Sequence, residues 1–368
     1  MPTSTRIIGK VTSISRVTRA AIWGIAEQAA PHLSNWTFVA YPSIVGEISV
    51  GDQVCLNTTG IRLNLGTGGT AIVISGHAPD HLVREGQQKV AADHIVKLRY
   101  SSDQVAVPPV EHEPNYREDP LNDTPVVVCL LHSQIAAVCA GIHLAAPQAR
   151  VVYIATDTGG LQAGFSHLVG SLQAAGWLHS CITCGQATGG DYEAVTLASA
   201  LCAAKSVLLA DIIIVGQLPG NVGTSTVYGH SGIDQGYWLD TAQRLGGRSI
   251  CVLRASRSDP RERHRGISHH TTTILGQMTL PGHFVAVPRS EAPRILGAMQ
   301  PDCLERHHVV HVQTPDITEV CHANGISLSS MGRTLAQDPW FFMCGTAAGI
   351  LASATLHQES PTEDLQSS

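Results

Sequence analysis

Lysine is almost missing from this chain. Only Lys10, Lys89, Lys97 and Lys205 occur in 368 residues, so most fixed positive charge is arginine. Charged residues of both signs reach only 14%, and the net charge is -6. A nucleic-acid-binding surface wants the opposite balance, so no nucleic-acid partner is expected. Aromatic residues are scarce at 5%. No apolar run approaches the ~20 residues of a bilayer span, so no membrane partner is expected. The opening MPTSTRIIGKVTSISR lacks an apolar core of the secretory kind, which points to a cytoplasmic protein. The dinucleotide pattern GxGxxG, the Walker loop with its Lys-Ser/Thr, the GxSxG elbow and a two-histidine helical metal motif are all lacking. None of the nucleotide folds or hydrolases that those motifs mark can be named from them.

What is present is apolar and globular, with 43% hydrophobic residues and ten cysteines. Most of the cysteines lie inside apolar runs, for example Cys129, Cys139, Cys202, Cys251 and Cys344, as reduced core residues do. Residues 1–103 read as a small β-rich, barrel-like domain. Ile7–Ile14, Trp36–Tyr41 and Gln53–Leu56 have strand character. Gly66 to Gly69 reads as a hairpin turn joining Ile61–Leu65 to Ala71–Ile74 rather than as a phosphate loop. Residues 104–124 carry four prolines, with Pro125 directly after them, and read as a linker. Residues 125–356 change texture. Apolar strands (Val126–Leu131, Val151–Ile154, Leu178–Thr183, Asp211–Val215, Ser249–Leu253) alternate with helical spacing over His132–Ala145, Ala163–Ala175, Tyr192–Ala204 and Ile233–Leu245. Phe284–Val287, Ile295–Met299 and His308–Val312 extend the strand series, and Ile317–Asn324 and Pro339–Ala354 read as closing helices. The pattern predicts an α/β fold, a Rossmann-like domain with a mainly parallel sheet covered on both faces. Residues 357–368 read as a disordered tail.

In a parallel sheet every strand ends at the same edge, where α/β proteins hold ligands. Five strands here end in polar or glycine-rich loops. The first supplies His132 and Ser133, the second Asp157 in TDTGG, and the third Asp191 in GQATGGD. The fourth is GQLPGNVGTSTVYGHSG, with Gly220, Gly223, Thr224, Ser225, His230 and Ser231. Its small residues allow backbone N–H groups to approach an anion closely. The fifth is DPRERHRGISHHTTT, from Asp259 to Thr273. Arg261, Arg263 and Arg265 suit a phosphate or carboxylate. His264, His269 and His270 suit proton transfer near neutral pH, with Asp157 or Asp191. A metal on one of these histidines with Asp157 or Asp191 is a further option, as is a purely structural pairing of Asp259 with the arginines. Cys181-x-x-Cys184 sits in and just after an apolar strand, where core packing is expected rather than redox chemistry.

The expected function is therefore an enzyme for a small anionic substrate, phosphate- or nucleotide-like. A non-catalytic ligand-binding module and an assembly protein are the alternatives. The cofactor is unknown and a homo-oligomer is left open. The segments Leu131–Ser133 (LHS), 185–195 (GQATGGDYEAV), 219–236 (PGNVGTSTVYGHSGIDQG), 259–271 (DPRERHRGISHHT) and 330–333 (SMGR) resemble an uncharacterised bacterial family, the domain of unknown function 3866, along nearly the whole chain. That resemblance implies no catalytic role for any residue.

Overall fold

A computed structural model describes residues 6–18, 20–28, 34–58, 61, 69–77, 95–98, 105–156, 159–297 and 303–357. The first five strands are β1 (Arg6–Val17), β2 (Ile22–Gln28), β3 (Ser34–Ala40), β4 (Gln53–Asn57) and β5 (Thr70–His77). They close a barrel in the order β1-β2-β3-β5-β4. All pairs are antiparallel except β3 with β5. Alternation fills the interior: Val54 and Leu56 of β4 point in with Val11, Ala26, Phe38 and Val73. Gly24 is obligatory in β2. A Cβ there would lie 2.2 Å from the Ser13 carbonyl oxygen and 2.8 Å from the Phe38 ring. The hairpin expected around Gly66–Gly69 falls largely on residues 62–68, outside the described residues. Its second arm lies in β5, whose partners are β3 and β4.

A short antiparallel ribbon, β6 (Ile95–Lys97) with β7 (Val105–Val107), follows the barrel in the chain. Along residues 105–124, read as a linker, Val110 and Leu121 are buried in the core of the sheet that comes next.

That sheet has eight strands, all parallel: β8 (Pro125–Cys129), β9 (Val151–Thr156), β10 (Ser180–Cys184), β11 (Tyr192–Ala194), β12 (Ile212–Gln217), β13 (Arg248–Cys251), β16 (Phe284–Pro288) and β17 (His308–Val312). Their spatial order is β11-β10-β9-β12-β8-β13-β16-β17. Two small ribbons lie outside it, β14 (Ala255–Ser256) with β15 (Gly266–Ile267) and β18 (Ser329–Ser330) with β19 (Arg333–Thr334). Every residue of β8, β9, β10 and β12 is buried, which is why these strands read as unbroken apolar runs. The chain moves one way from β8 to β11 and the other way from β12 to β17. Right-handed crossovers then place the connecting helices on opposite faces. The architecture is Rossmann-like.

Helices Gln134–Ala145 and Pro339–Ala354 pack together in unusually close contact through Gly141, Gly345 and Gly349. Two sequence readings are corrected here. Tyr192–Ala204 is not one helix: Tyr192–Ala194 is strand β11, and the helix is Leu197–Ser206. The Thr196 hydroxyl, which caps that helix in a capping box, marks the boundary. Ile295–Met299 is not a strand; the described part belongs to a proline-initiated helix, Ala292–Leu296. Among the described residues no helix is long and apolar enough to cross a membrane.

Candidate functional site

The carboxyl ends of β8, β9, β10, β12 and β13 lie at one edge, as their parallel pairing requires. β13 runs into the buried stretch Val252–Leu253–Arg254. The β14–β15 ribbon then folds the arginine-histidine loop back on itself. The Ser268 N–H donates to the Arg254 carbonyl at 2.8 Å, which sets His269 and His270 beside the Arg254 side chain. Gly266, at φ +75°, makes the return possible. His264 closes a short 3-10 turn, and His269 and His270 open a five-residue helix capped by Ser268.

Four imidazoles meet here. His230, from the end of the glycine-rich loop, stacks on His270 with centroids 3.7 Å apart and planes 8° apart. His264 lies 5.0 Å from His269 and 4.9 Å from His270, centroid to centroid, and His269 lies 4.4 Å from His270. One ligand-capable atom from each of His264, His269 and His270 falls within 4.8 Å of the others. Burial holds all four below the usual histidine range, and neighbouring charges add to the effect. For His264, lowered to about 3, Arg254 is the largest of these. For His270, lowered to about 2, His230 and then Arg254 contribute. These rings are neutral at pH 7. Among the described residues, both ring nitrogens of His269 are buried without a hydrogen-bond partner.

Arg254 is 4% exposed. Its Nη1 donates to Nδ1 of His270 at 3.1 Å. Burial, then Arg261, lowers its pKa to about 10, so it stays charged at pH 7. Asp259 is the anchor of the arginines. It accepts from Arg261 Nε and Nη2 at 2.9 Å each and from Arg333 Nη2 at 3.2 Å, with Arg254 Nη2 3.8 Å away. Burial opposes ionisation of Asp259, but the Arg261 hydrogen bonds and the nearby guanidiniums outweigh it. They hold the carboxyl far below its usual range. Asp338 takes the other side of Arg333 at 3.0 Å and the Ser256 hydroxyl at 2.6 Å.

A cavity of about 610 Å3 opens in front of this wall. Of the residues proposed from sequence, Gly220, Gly223, Ser225, Arg261, Arg263, His264 and His270 line it. His269 packs against both of these histidines and is not among the lining residues. Thr224 is used inside its own loop, its hydroxyl meeting Thr226 and the Gly229 carbonyl. Ser231 bonds Asn221 at 2.7 Å. Arg265 reaches the Asp259 carbonyl oxygen at 3.4 Å. His132 is held by the Ser166 hydroxyl at 2.7 Å, and Ser133, at a helix N-cap position, bonds the Ser330 hydroxyl at 2.8 Å instead of capping. Asp157 lies outside the described residues. Asp191 is not brought to the histidines: its carboxylate accepts from Gln173 at 2.7 Å and from the Cys181 N–H at 2.9 Å, at a separate cavity. Cys181 and Cys184 are buried, and burial pushes the Cys181 thiol up, away from a reactive thiolate.

Arg254 and Met331 were not picked out from sequence, and His230 was named only as part of the glycine-rich loop. Arg254 ends an apolar run, where a charged residue signals a buried polar role. His230 lies outside the arginine-rich segment and joins it only through the fold. Tyr41 and Ile72 of the barrel also line the cavity, so the barrel covers part of the sheet edge. A second polar centre fastens the loop after β10. The buried Lys97 ammonium donates to Glu193 Oε2 and the Ala187 carbonyl at 2.6 Å each and to the Thr183 carbonyl at 3.2 Å.

His132 makes a separate prediction. Burial lowers its pKa to about 4 from the ordinary 6.5. Protonation therefore favours the unfolded chain. The stability it contributes is complete above pH 6.5 and is lost as pH falls towards 4. The loss is on the order of 2–3 kcal/mol. Urea unfolding of wild type and His132→Asn at pH 7 and pH 4 should give a stability difference that shifts by that amount. A pH-independent difference would refute the assignment.

The chain is thus an α/β protein with a barrel, a parallel Rossmann-like sheet and a cavity walled by histidines and arginines at the sheet's carboxyl edge. It belongs to the family described as Protein of unknown function (DUF3866), whose model matches residues 38–349. No curated protein and no solved structure matches it.

Proposed function

We propose that the chain is an enzyme acting on a small anionic substrate, phosphate- or nucleotide-like, in the cavity at the carboxyl edge. One observation carries the reading. Arg254 and Arg263 present guanidiniums to a concave wall that also holds the neutral imidazoles of His264 and His270. Asp259 is already shared by Arg261, Arg333 and, more loosely, Arg254. An anion in the cavity would meet positive charge that this one carboxylate does not fully offset, and guanidinium forks suit its oxygens. The backbone at Gly220 and Gly223 allows close approach. A neutral imidazole keeps a lone pair that can accept a proton; His264 is placed for that role, since the lone pair of His270 is taken by Arg254. The alternative of a binding module without chemistry uses the same cavity and differs only in turnover.

The test is calorimetric titration of the full chain with inorganic phosphate and with nucleoside mono- and diphosphates, followed by product analysis. Arg263→Ala should weaken binding by roughly tenfold or more, as loss of a charge-assisted hydrogen bond does. Turnover of a bound nucleotide or phosphate ester selects the enzyme over the binding module. Absence of binding by all these anions at millimolar concentration would refute the anion reading.

A further inference from the structure

We infer that His264, His269 and His270 form a binding site for one transition-metal ion of the zinc type, at the inner wall of the cavity. The three side chains each bring a ligand atom within 4.8 Å of the other two. Tetrahedral zinc with bonds of about 2.0–2.1 Å places its nitrogen ligands roughly 3.4 Å apart, so side-chain adjustments of about an ångström close the set.

Unpaired nitrogen is the second observation. Among the described residues, neither buried ring nitrogen of His269 has a hydrogen-bond partner. A buried polar group left this way costs about 1–3 kcal/mol, and native proteins rarely leave one without a reason. An ion on His269 removes the deficit on the nitrogen it binds. His264 is oriented as a ligand should be: its Nδ1 meets the Ser268 hydroxyl at 2.7 Å, which fixes the ring and leaves Nε2 as the free ligand atom. His230 is stacked flat on His270 and buttresses it.

Arg254 shapes the site in two ways. A guanidinium can only donate, so Nδ1 of His270 accepts from it and the proton of the neutral ring sits on Nε2. Binding at His270 must therefore give up the Arg254 contact, by turning the ring over or by moving its proton to Nδ1, so that a nitrogen lone pair faces the ion. Arg254 also places a cation beside a second cation, which weakens metal binding unless an anion completes the coordination. His264 and His270 face the cavity. The remaining coordination positions therefore open towards Arg254 and Arg263, and an anionic oxygen there would touch metal and guanidinium together. This last statement rests on the anion reading above; the three-histidine site does not.

The experiment uses the full chain after chelator treatment and dialysis. Zn2+ binding is followed by calorimetry and elemental analysis, and Co2+ by its visible absorption, which reports tetrahedral or five-coordinate nitrogen ligation. One ion per chain is expected. His264→Ala and His269→Ala, each checked for native circular dichroism, should lose at least the roughly 100-fold in affinity that marks the upper range for outer-shell changes. Arg254→Met should act in opposite directions, weakening inorganic phosphate while leaving Zn2+ binding equal or tighter. Arg263→Ala, at an exposed position, should lose phosphate and keep Zn2+. No stoichiometric Zn2+ or Co2+ binding at micromolar concentration overturns the inference. So does binding that survives both histidine substitutions. Zn2+ bound without phosphate leaves the metal site standing and refutes the anion reading; phosphate bound without Zn2+ does the reverse.

Discussion

Replacing Asp259 by Asn should destabilise the protein by about 3–5 kcal/mol, the scale for removing one partner of a buried ionic cluster. The residue is 1% exposed. Its carboxylate receives two Arg261 donors and one from Arg333, and lies 3.8 Å from Arg254. An asparagine keeps the shape and one acceptor oxygen but removes the charge. Arg254, almost wholly buried, then lacks its nearest counter-ion. Exposed ion pairs elsewhere, such as Arg294 with Glu291, should cost under about 1 kcal/mol when broken. Urea unfolding of Asp259→Asn, Arg254→Met and the double variant decides the matter. If the cluster acts as a unit, the double variant loses clearly less than the sum of the two singles. Additive losses, or a loss below about 1 kcal/mol for Asp259→Asn, would show that Asp259 is not the anchor.

Gly349→Ala is the second large effect, and its sign is the point. Alanine in a helix interior normally gains up to about 1 kcal/mol over glycine. Here the added Cβ would stand 2.2 Å from the Val138 carbonyl oxygen and 3.0 Å from the Ile142 nitrogen. Both are backbone atoms of the neighbouring helix and cannot step aside as a side chain can. The two helices must separate, at about 3 kcal/mol or more, the upper range for overpacking. Gly170→Ala is the control. Its Cβ would meet only the end of the Arg16 side chain at 3.5 Å, so the ordinary gain should return. A melting temperature for Gly349→Ala at or above that of wild type would contradict the packing described.

Much of the fold was legible because burial on both faces leaves a plain mark. β8, β9, β10, β12 and β13 read as apolar runs, and their alternation with helices implied a parallel sheet. Strand β2 left no such mark. Its sequence IWGIAEQ has a glycine at the centre and polar residues at its end, and it became a strand only through pairing with β1 and β3. β11 was absorbed into the helix after it because three residues are too few to show a period. The site was legible in outline from the density of Arg and His in one loop. Its pairing with the glycine-rich loop was not: His230 could be placed in the connection after β12, but only the fold stacks it on His270. Arg254 precedes the segment that drew the eye, and only the β14–β15 ribbon returns His270 to it. Asp191 shows the converse. It follows a strand at the correct edge, yet its carboxylate is taken up by Gln173 and the Cys181 N–H. Sequence can place a residue at an edge but not say which neighbour claims its hydrogen bonds.

The strand order bears on how the chain is made. β8 is the first strand of the large sheet to leave the ribosome, and it ends up between β12 and β13. Val126 pairs with Ile213 on one side and Ser249 on the other, both synthesised far later. Until then a fully apolar strand has neither neighbour, and its edges are open to any other unpaired strand. Release of the nascent chain before β13 should therefore give insoluble product, whereas the barrel strands, complete by His77, have all their partners within the first part of the chain.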